Sequence, residues 1–340
     1  MTGGGRAGAG GVADPTRGAA PGISRWFRTL LAALIMAALV VPLAAATRPG
    51  VPAPPPADLG RVTAATLDAV YAANRANAAQ AAGMAEEHGD ARRAAVERAM
   101  ADDPGRLLLA FDGRGQGRVT EVFGDLARAD RVAVLIPGSD TTLDTYTRFR
   151  TAARSLHRQL TERAPADPHT AVVAWLGYET PGTVGTTVMT TSRAEEAAPD
   201  LGEFIAGLYG ISGQDTRIAL LCHSYGSVVC ARAAPGLDVD DIAFTGSPGT
   251  GVETVSDLGT SARVWAGRGA DDWVGQVPHL EADLFGTTVG FGTDPMSPAY
   301  GARRFSAGDG GHSDYFTPGS ESLANLARIV LGETGEVSHD

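Results

Sequence analysis

A serine hydroxyl attacks a carbonyl well only when a base takes its proton and a third group holds that base in place. The segment Ala219-Leu220-Leu221-Cys222-His223-Ser224-Tyr225-Gly226-Ser227-Val228-Val229 offers a serine in such a setting. An apolar run that reads as a strand leads directly into Ser224, and a helical pattern follows it. A serine held at so sharp a turn tolerates little bulk two positions away on either side. Gly226 meets that need, and Cys222 is a small substitute for the more usual glycine. The backbone N–H of Tyr225, at the start of the helix, is expected to point at an oxyanion developing beside Ser224.

Three histidines follow this turn: His279, His312 and His339. His312 lies in the glycine-rich stretch Asp309-Gly310-Gly311-His312-Ser313-Asp314-Tyr315, after the last predicted strand and before the last predicted helix, and it is the expected general base. His339 is close to the chain end and His279 sits in a connection beside Pro278. The order serine, acid, histidine is one of those in which a triad is built, so the acid belongs between positions 224 and 312. The strand predicted over 241–244 is followed by Thr245-Gly246-Ser247-Pro248-Gly249 and supplies no carboxylate, whereas the strand over 262–266 leads into Gly267-Arg268-Gly269-Ala270-Asp271-Asp272-Trp273-Val274. Asp272 is the expected orienting acid, because Val274 can pack back on the core behind it; Asp271 is the alternative. A second oxyanion donor is expected in Val132-Ala133-Val134-Leu135-Ile136-Pro137-Gly138-Ser139-Asp140-Thr141, where a strand ends in a Pro-Gly turn and the Ser139 N–H is the candidate. Loss of one such donor costs about 2.7 to 4 kcal/mol of transition-state stabilisation. Trp175, Tyr178 and the loop 181–191 read equally well as pocket wall or as core aromatics and a plain loop. Such a constellation performs acyl transfer through a covalent intermediate and needs no metal or organic cofactor.

Distant side chains converge like this only if a sheet brings its loops to one edge. Short Val/Ile/Leu-rich runs at 107–111, 118–123, 132–136, 171–176, 217–222, 241–244, 262–266 and 302–305 read as strands, with helices predicted over 143–160, 201–208, 225–233 and 321–331. Continuous apolar strands alternating with helices indicate a doubly wound, mostly parallel sheet. Before it, 61–105 is rich in Ala, Arg and Glu with helical spacing of Val62, Leu67 and Val70, and Gly89-Asp90 divides it into two helices with Asp90 as N-cap. These helices are expected as a flap packed on the sheet domain at 106–333, with a lid or partner-binding element as the other reading.

The chain has 340 residues, 44% of them apolar, and a formal net charge of −11, which disfavours a nucleic-acid partner because phosphate needs a concentrated basic face. All 28 residues of the Lys/Arg class are arginine, and this excludes Schiff-base, Walker-type and Ser-Lys chemistry. Cys222 and Cys230 are the only two cysteines, expected as separate buried thiols. Residues 1–28 carry Arg6, Arg17, Arg25 and Arg28 against Asp14, 29–46 is almost wholly apolar and ends in small residues, and 47–60 is a proline-rich linker. This is the pattern of an export signal, and the apolar run is also long enough for a membrane anchor. Cleavage and retention stay open. Either way the remainder is expected outside the cytoplasm, with membrane contact only through 29–46 if the leader is retained.

With Pro137 to Asp140, Cys222 to Gly226, Asp271 to Val274 and Gly311 to Tyr315 in view, the sequence resembles a family of actinobacterial α/β-hydrolases grouped as a domain of unknown function. Gly177-Tyr178, Gly246-Ser247-Pro248-Gly249, Gly292-Thr293-Asp294-Pro295 and Tyr300-Gly301-Ala302 extend the likeness over about 57–332. The resemblance implies the α/β-hydrolase fold and a triad of Ser224, Asp272 and His312, but no substrate. The expected protein is an exported serine hydrolase acting on a small-molecule acyl ester. An acyltransferase or amidase on the same triad, or a non-catalytic cell-surface binding protein, are the alternatives.

Overall fold

Strands covered by helices on both faces must be apolar along their whole length rather than at alternate positions. The central strands obey this in the computed structural model, which describes residues 1–5, 50–165, 168–183, 190–276, 281–284 and 287–339. In chain order the strands are β1 (Leu107–Asp112), β2 (Arg118–Phe123), β3 (Arg131–Ile136), β4 (Thr170–Leu176), β5 (Arg217–His223), β6 (Asp241–Thr245), β7 (Arg263–Gly267), β8 (Glu281–Leu284), β9 (Thr287–Gly290) and β10 (Arg303–Arg304). Eight of them form one sheet in the order β1-β2-β4-β3-β5-β6-β7-β10, and β8 and β9 form a separate antiparallel pair. Only β1 with β2 and β2 with β4 pair antiparallel in the main sheet. The doubly wound, mostly parallel architecture is therefore as expected. The β8–β9 pair was not anticipated, since four-residue strands of mixed polarity carry no periodic signal.

The helices are α1 (Leu67–Glu87), α2 (Ala91–Asp102), α3 (Tyr146–Arg163), α4 (Ser192–Ser212), α5 (Gly226–Ala233) and α6 (Glu321–Leu331). Alternate strand residues point to opposite faces. Val132, Val134, Ile218 and Leu220 pack with Ile205, Leu208, Val228 and Val229 of α4 and α5. Ala133, Leu135, Ala219 and Leu221 pack with Leu156, Leu160, Leu326 and Ile329 of α3 and α6. α4 begins nine residues before the predicted 201 and runs through Pro199, because Ala194 and Ala197 are buried as well.

The helical extension covers a sheet edge. Asn74 of α1 donates from Nδ2 to the carbonyls of Leu108 and Leu109 on β1, at 2.9 and 3.0 Å, which occupies an edge that would otherwise invite pairing. Gly89 breaks the two helices and the Asp90 side chain caps α2 through the Arg93 amide, as the sequence suggested. Gly50–Asp340 form one compact unit. Within the expected linker, Pro54 is buried and the Pro55 carbonyl accepts from Asn77 Nδ2 at 2.8 Å. The predicted apolar leader 29–46, nearly all of the basic stretch 1–28, and His279 lie outside the described residues.

Arg93 of α2 is fully buried and grips the Asp144 carboxylate through Nε and a terminal nitrogen at 2.7 and 3.1 Å. One helical turn on, Glu97 is 0% exposed, 4.0 Å from Arg93, and neither of its oxygens accepts a hydrogen bond. Burial, only partly offset by Arg93, pushes its carboxyl up to about 7. A carboxyl whose pKa is higher in the folded than in the unfolded state favours the fold while protonated and costs stability as pH rises through the interval from about 4.5 to about 7. Glu97→Gln is thus expected to add roughly 1 to 3 kcal/mol at pH 8 and little at pH 4.5. Urea unfolding at the two pH values checks this; an equal gain at both would show that ionisation is not the cause.

Candidate active site

β3, β5, β6 and β7 end at one level: Ile136 lies opposite Cys222, His223 opposite Thr245, and Thr245 opposite Gly267. The loops that follow these ends share the crevice where sheets of this kind place their sites.

β5 passes into α5 through Ser224, whose φ of +54° is in the left-handed region that a non-glycine residue adopts only when its surroundings hold it there. The Ser224 amide donates to the Thr245 carbonyl at 3.0 Å, and the Ser227 amide donates to the Ser224 carbonyl at 2.9 Å. Gly226 lets the helix start against β3: a Cβ there would lie 2.6 Å from the Ile136 carbonyl oxygen and 2.7 Å from that of Pro137.

Cys222 and Cys230 are not the separate buried thiols expected from the sequence. They form a disulfide, with Cα atoms 6.4 Å apart. The turn at Ser224 folds α5 back along the strand it leaves, so a residue in the second helical turn comes beside the penultimate residue of β5. That falls inside the reach of a disulfide, about 4.4 to 6.8 Å between Cα atoms.

Ser224, His312 and Asp272 come together. His312 Nε2 is 3.0 Å from Ser224 Oγ, and His312 Nδ1 is 3.0 Å from each carboxylate oxygen of Asp272. Burial raises the Asp272 pKa, but hydrogen bonds from His312, Tyr315 and the Val274 amide outweigh it and hold the carboxyl down at about 2. An ionised carboxylate only accepts. Nδ1 therefore carries the imidazole proton, and Nε2 presents its lone pair to the serine hydroxyl. Asp271, the alternative acid, is exposed and is no part of this chain of bonds. Val274 is 1% exposed, packed as expected, and its amide also bonds Asp272 Oδ1 at 2.9 Å. Gly246 supplies the space for the pair: it sits at φ +54°, and a Cβ there would be 2.7 Å from Asp272 Oδ2 and 3.0 Å from His312 Nδ1.

Two supporting residues carried no assignment from the sequence. The Tyr315 hydroxyl donates to Asp272 Oδ2 and accepts the Gly269 amide at 3.2 Å. His223 Nε2 is 2.7 Å from the carbonyl of His312, which makes it the donor, and its ring lies 4.8 Å from that of His312. Burial, with His312 adding to it, lowers the His223 pKa to about 4, so the ring is neutral at pH 7. The only sequence signals were the placement of His223 beside Ser224 and of Tyr315 three residues after His312.

Both expected oxyanion donors line the same cavity as Ser224. Among the described residues, neither the Tyr225 nor the Ser139 amide has an acceptor. The Ser139 loop is fixed on both sides. Tyr178 donates its hydroxyl to the Pro137 carbonyl at 2.6 Å, and the Asp140 amide donates to the Pro181 carbonyl at 3.0 Å. Trp175 and Tyr178 are thus core residues, 3% and 4% exposed, rather than pocket wall. Residues 184–189 of the loop after them lie outside the described residues. His339 bonds the Arg304 carbonyl through Nδ1, away from the triad positions.

The cavity measures about 1060 Å³. Ser224 and His312 open into it beside Phe149, Phe291, Phe316 and Trp273, the last of these 52% exposed at the rim.

The profile of the α/β hydrolase family matches residues 112–282. An uncharacterized protein of Mycobacterium tuberculosis is 30% identical over 274 residues, covering 68% of this chain and 40% of its own, so the chain spans well under half of that relative's length. An uncharacterized protein of Mycobacterium bovis is 33% identical over 187 residues, covering 51% of this chain and 70% of its own. Solved structures with a similar course include esterase PE8, at 17% identity, a TM-score of 0.41 and coverage of 62% of this chain and 96% of that one. Another is a lidless α/β serine hydrolase of Xanthomonas campestris, at 16% identity, a TM-score of 0.39 and coverage of 64% and 87%.

Proposed function

Since the chain belongs to the α/β hydrolase family, we propose that it is a serine hydrolase cleaving carboxylic esters, with Ser224 as nucleophile, His312 as general base and Asp272 as the residue that orients His312. The observation that carries this reading is the unbroken relay from Ser224 Oγ through both nitrogens of His312 to Asp272, opening on a cavity of about 1060 Å³.

The geometry supports the following course. His312 Nε2 takes the Ser224 proton as Oγ bonds to the ester carbonyl carbon, and the carbonyl electron pair moves onto oxygen. The amides of Tyr225 and Ser139 receive that oxyanion. The tetrahedral intermediate collapses, the alkoxide leaves with the proton held on Nε2, and an acyl-Ser224 ester remains. Water, deprotonated by the same Nε2, attacks the acyl carbon; the second tetrahedral intermediate collapses with the acyl–Oγ bond breaking and Oγ taking the proton back from Nε2, which releases the acid and restores Ser224. Asp272 stays ionised throughout, while Tyr315 and the Val274 amide keep its oxygens aimed at Nδ1. His223 acts at one remove, holding the backbone of the His312 loop.

A series of p-nitrophenyl esters from acetate to dodecanoate tests this. Turnover with a burst of about one nitrophenolate per chain is expected wherever deacylation is slower than acylation, with kcat/KM rising to chains long enough to fill the apolar cavity. No release from any member of the series would remove esterase activity from the reading.

The same reading places the catalytic domain outside the cytoplasm. The Cys222–Cys230 disulfide supports this, because such bonds persist mainly in oxidising compartments. The basic and apolar character of 1–46 points the same way. Among the described residues no helix is long and apolar enough to cross a membrane.

A further inference from the structure

The cavity beside Ser224 has mostly apolar walls, and among the described residues two of its lining side chains other than histidines carry formal charge, Asp140 and Arg148. They differ in one respect. The Asp140 carboxylate is taken up by Thr183, which donates its amide at 3.1 and 3.2 Å and its hydroxyl as well. Arg148 is exposed to the cavity and makes no ion pair or hydrogen bond among the described residues. Its electrostatic neighbour is His223, next to Ser224, whose protonation it opposes.

The fold gains little from a cation there. Arg148 is the third residue of α3, in the first helical turn, where the helix dipole disfavours positive charge. With a net charge of −11, the chain as a whole does not draw anions in, so any attraction must be local. Phe149 and Ala152 of the same helix and Phe316 line the cavity with Arg148 and lower the dielectric through which its charge acts. A guanidinium presents several donors in a fixed fork that matches a carboxylate.

Building on the hydrolase reading, we propose that the cavity takes an ester that is apolar over most of its length and carries an anionic group, and that this group is held by Arg148. The anion could reside on the acid or on the alcohol portion, and a set of three probes separates these: p-nitrophenyl octanoate, the mono-p-nitrophenyl ester of octanedioic acid, and 3-carboxy-4-nitrophenyl octanoate. One of the two charged probes is expected to exceed the uncharged one in kcat/KM by about tenfold or more, and the preference is expected to shrink with added salt. In Arg148→Gln that ratio should fall to near one, and in Arg148→Glu it should drop below one. Equal kcat/KM for all three probes in the wild type, or a preference that survives in Arg148→Gln, would overturn the assignment. The same ratios are read as dissociation constants on the Ser224→Ala protein, where no ester is consumed. Turnover that is absent while the charged probe still binds more tightly would therefore sink the esterase reading alone, and turnover without a charge preference would sink the anion site alone.

Discussion

Ser224→Ala is expected to lower kcat/KM for a p-nitrophenyl ester by about 10⁴- to 10⁶-fold with no loss of folding. The size follows from chemistry: without Oγ no acyl-enzyme forms, and only the oxyanion amides and the cavity are left to assist direct attack by water. Retention of the fold follows from contacts. The Ser224 side chain bonds His312 alone, while its backbone bonds to Thr245 and Ser227 do not depend on the hydroxyl. Alanine at φ +54° is no more strained than serine, so the melting transition should stay close to that of the wild type. Rate assays and thermal unfolding on the same preparation check both halves. Unchanged turnover would take Ser224 out of the mechanism, and a collapsed melting transition would show that the turn depends on the hydroxyl.

Asp272→Asn is expected to cost about 10⁴-fold in kcat through a change of tautomer rather than of shape. The two oxygens of Asp272 accept three donors: His312 Nδ1–H, the Tyr315 hydroxyl and the Val274 amide. An amide side chain has one acceptor oxygen, so its NH₂ must face one of them. If it faces Nδ1, the imidazole proton moves to Nε2, and Ser224 loses its base. If it faces Tyr315, that hydroxyl loses its acceptor and the loop loosens. Asp271→Asn, at the exposed neighbouring position, serves as the control and is expected to change activity little. With its pKa near 2, Asp272 contributes stability that is present above about pH 4 and lost as the pH falls through 2, so it stays ionised wherever the enzyme is assayed. A kcat loss in the Asp271 variant equal to that in the Asp272 variant would contradict the assignment of the acid.

Much of this was legible in the sequence because it is local. A continuous apolar strand, a serine between small residues and an abrupt helical period occupy adjacent positions, so the turn at Ser224 is written in one segment. The strands themselves could be read for the same reason, since burial on both faces leaves an unbroken Val/Ile/Leu run. Choosing Asp272 over Asp271 relied on Val274, and the fold places Val274 in the core as that choice required. What escaped is what depends on distance. Cys222 and Cys230 are eight positions apart along the chain and meet only because the helix doubles back on its strand. Tyr315 and His223 are ordinary polar residues until Asp272 and the His312 carbonyl arrive from other loops. Trp175 and Tyr178 could not be sorted between wall and core from composition, because both surroundings favour aromatics. The cavity wall is drawn from α3, from the segments around 273 and 291, and from 316–318, and no local pattern announces that convergence.

Labelling with a fluorophosphonate, followed by trypsin and mass spectrometry, tests the triad most directly, because only a serine activated by its base reacts quickly. Since the chain has no lysine, trypsin cuts only after arginine and releases Ser224 within the fragment 218–232, which also contains Ser227. Fragment ions are expected to place a single adduct on Ser224 in the wild type and to show it nearly absent in His312→Ala. An adduct on another serine, or equal labelling with and without His312, would contradict the relay from Ser224 to His312.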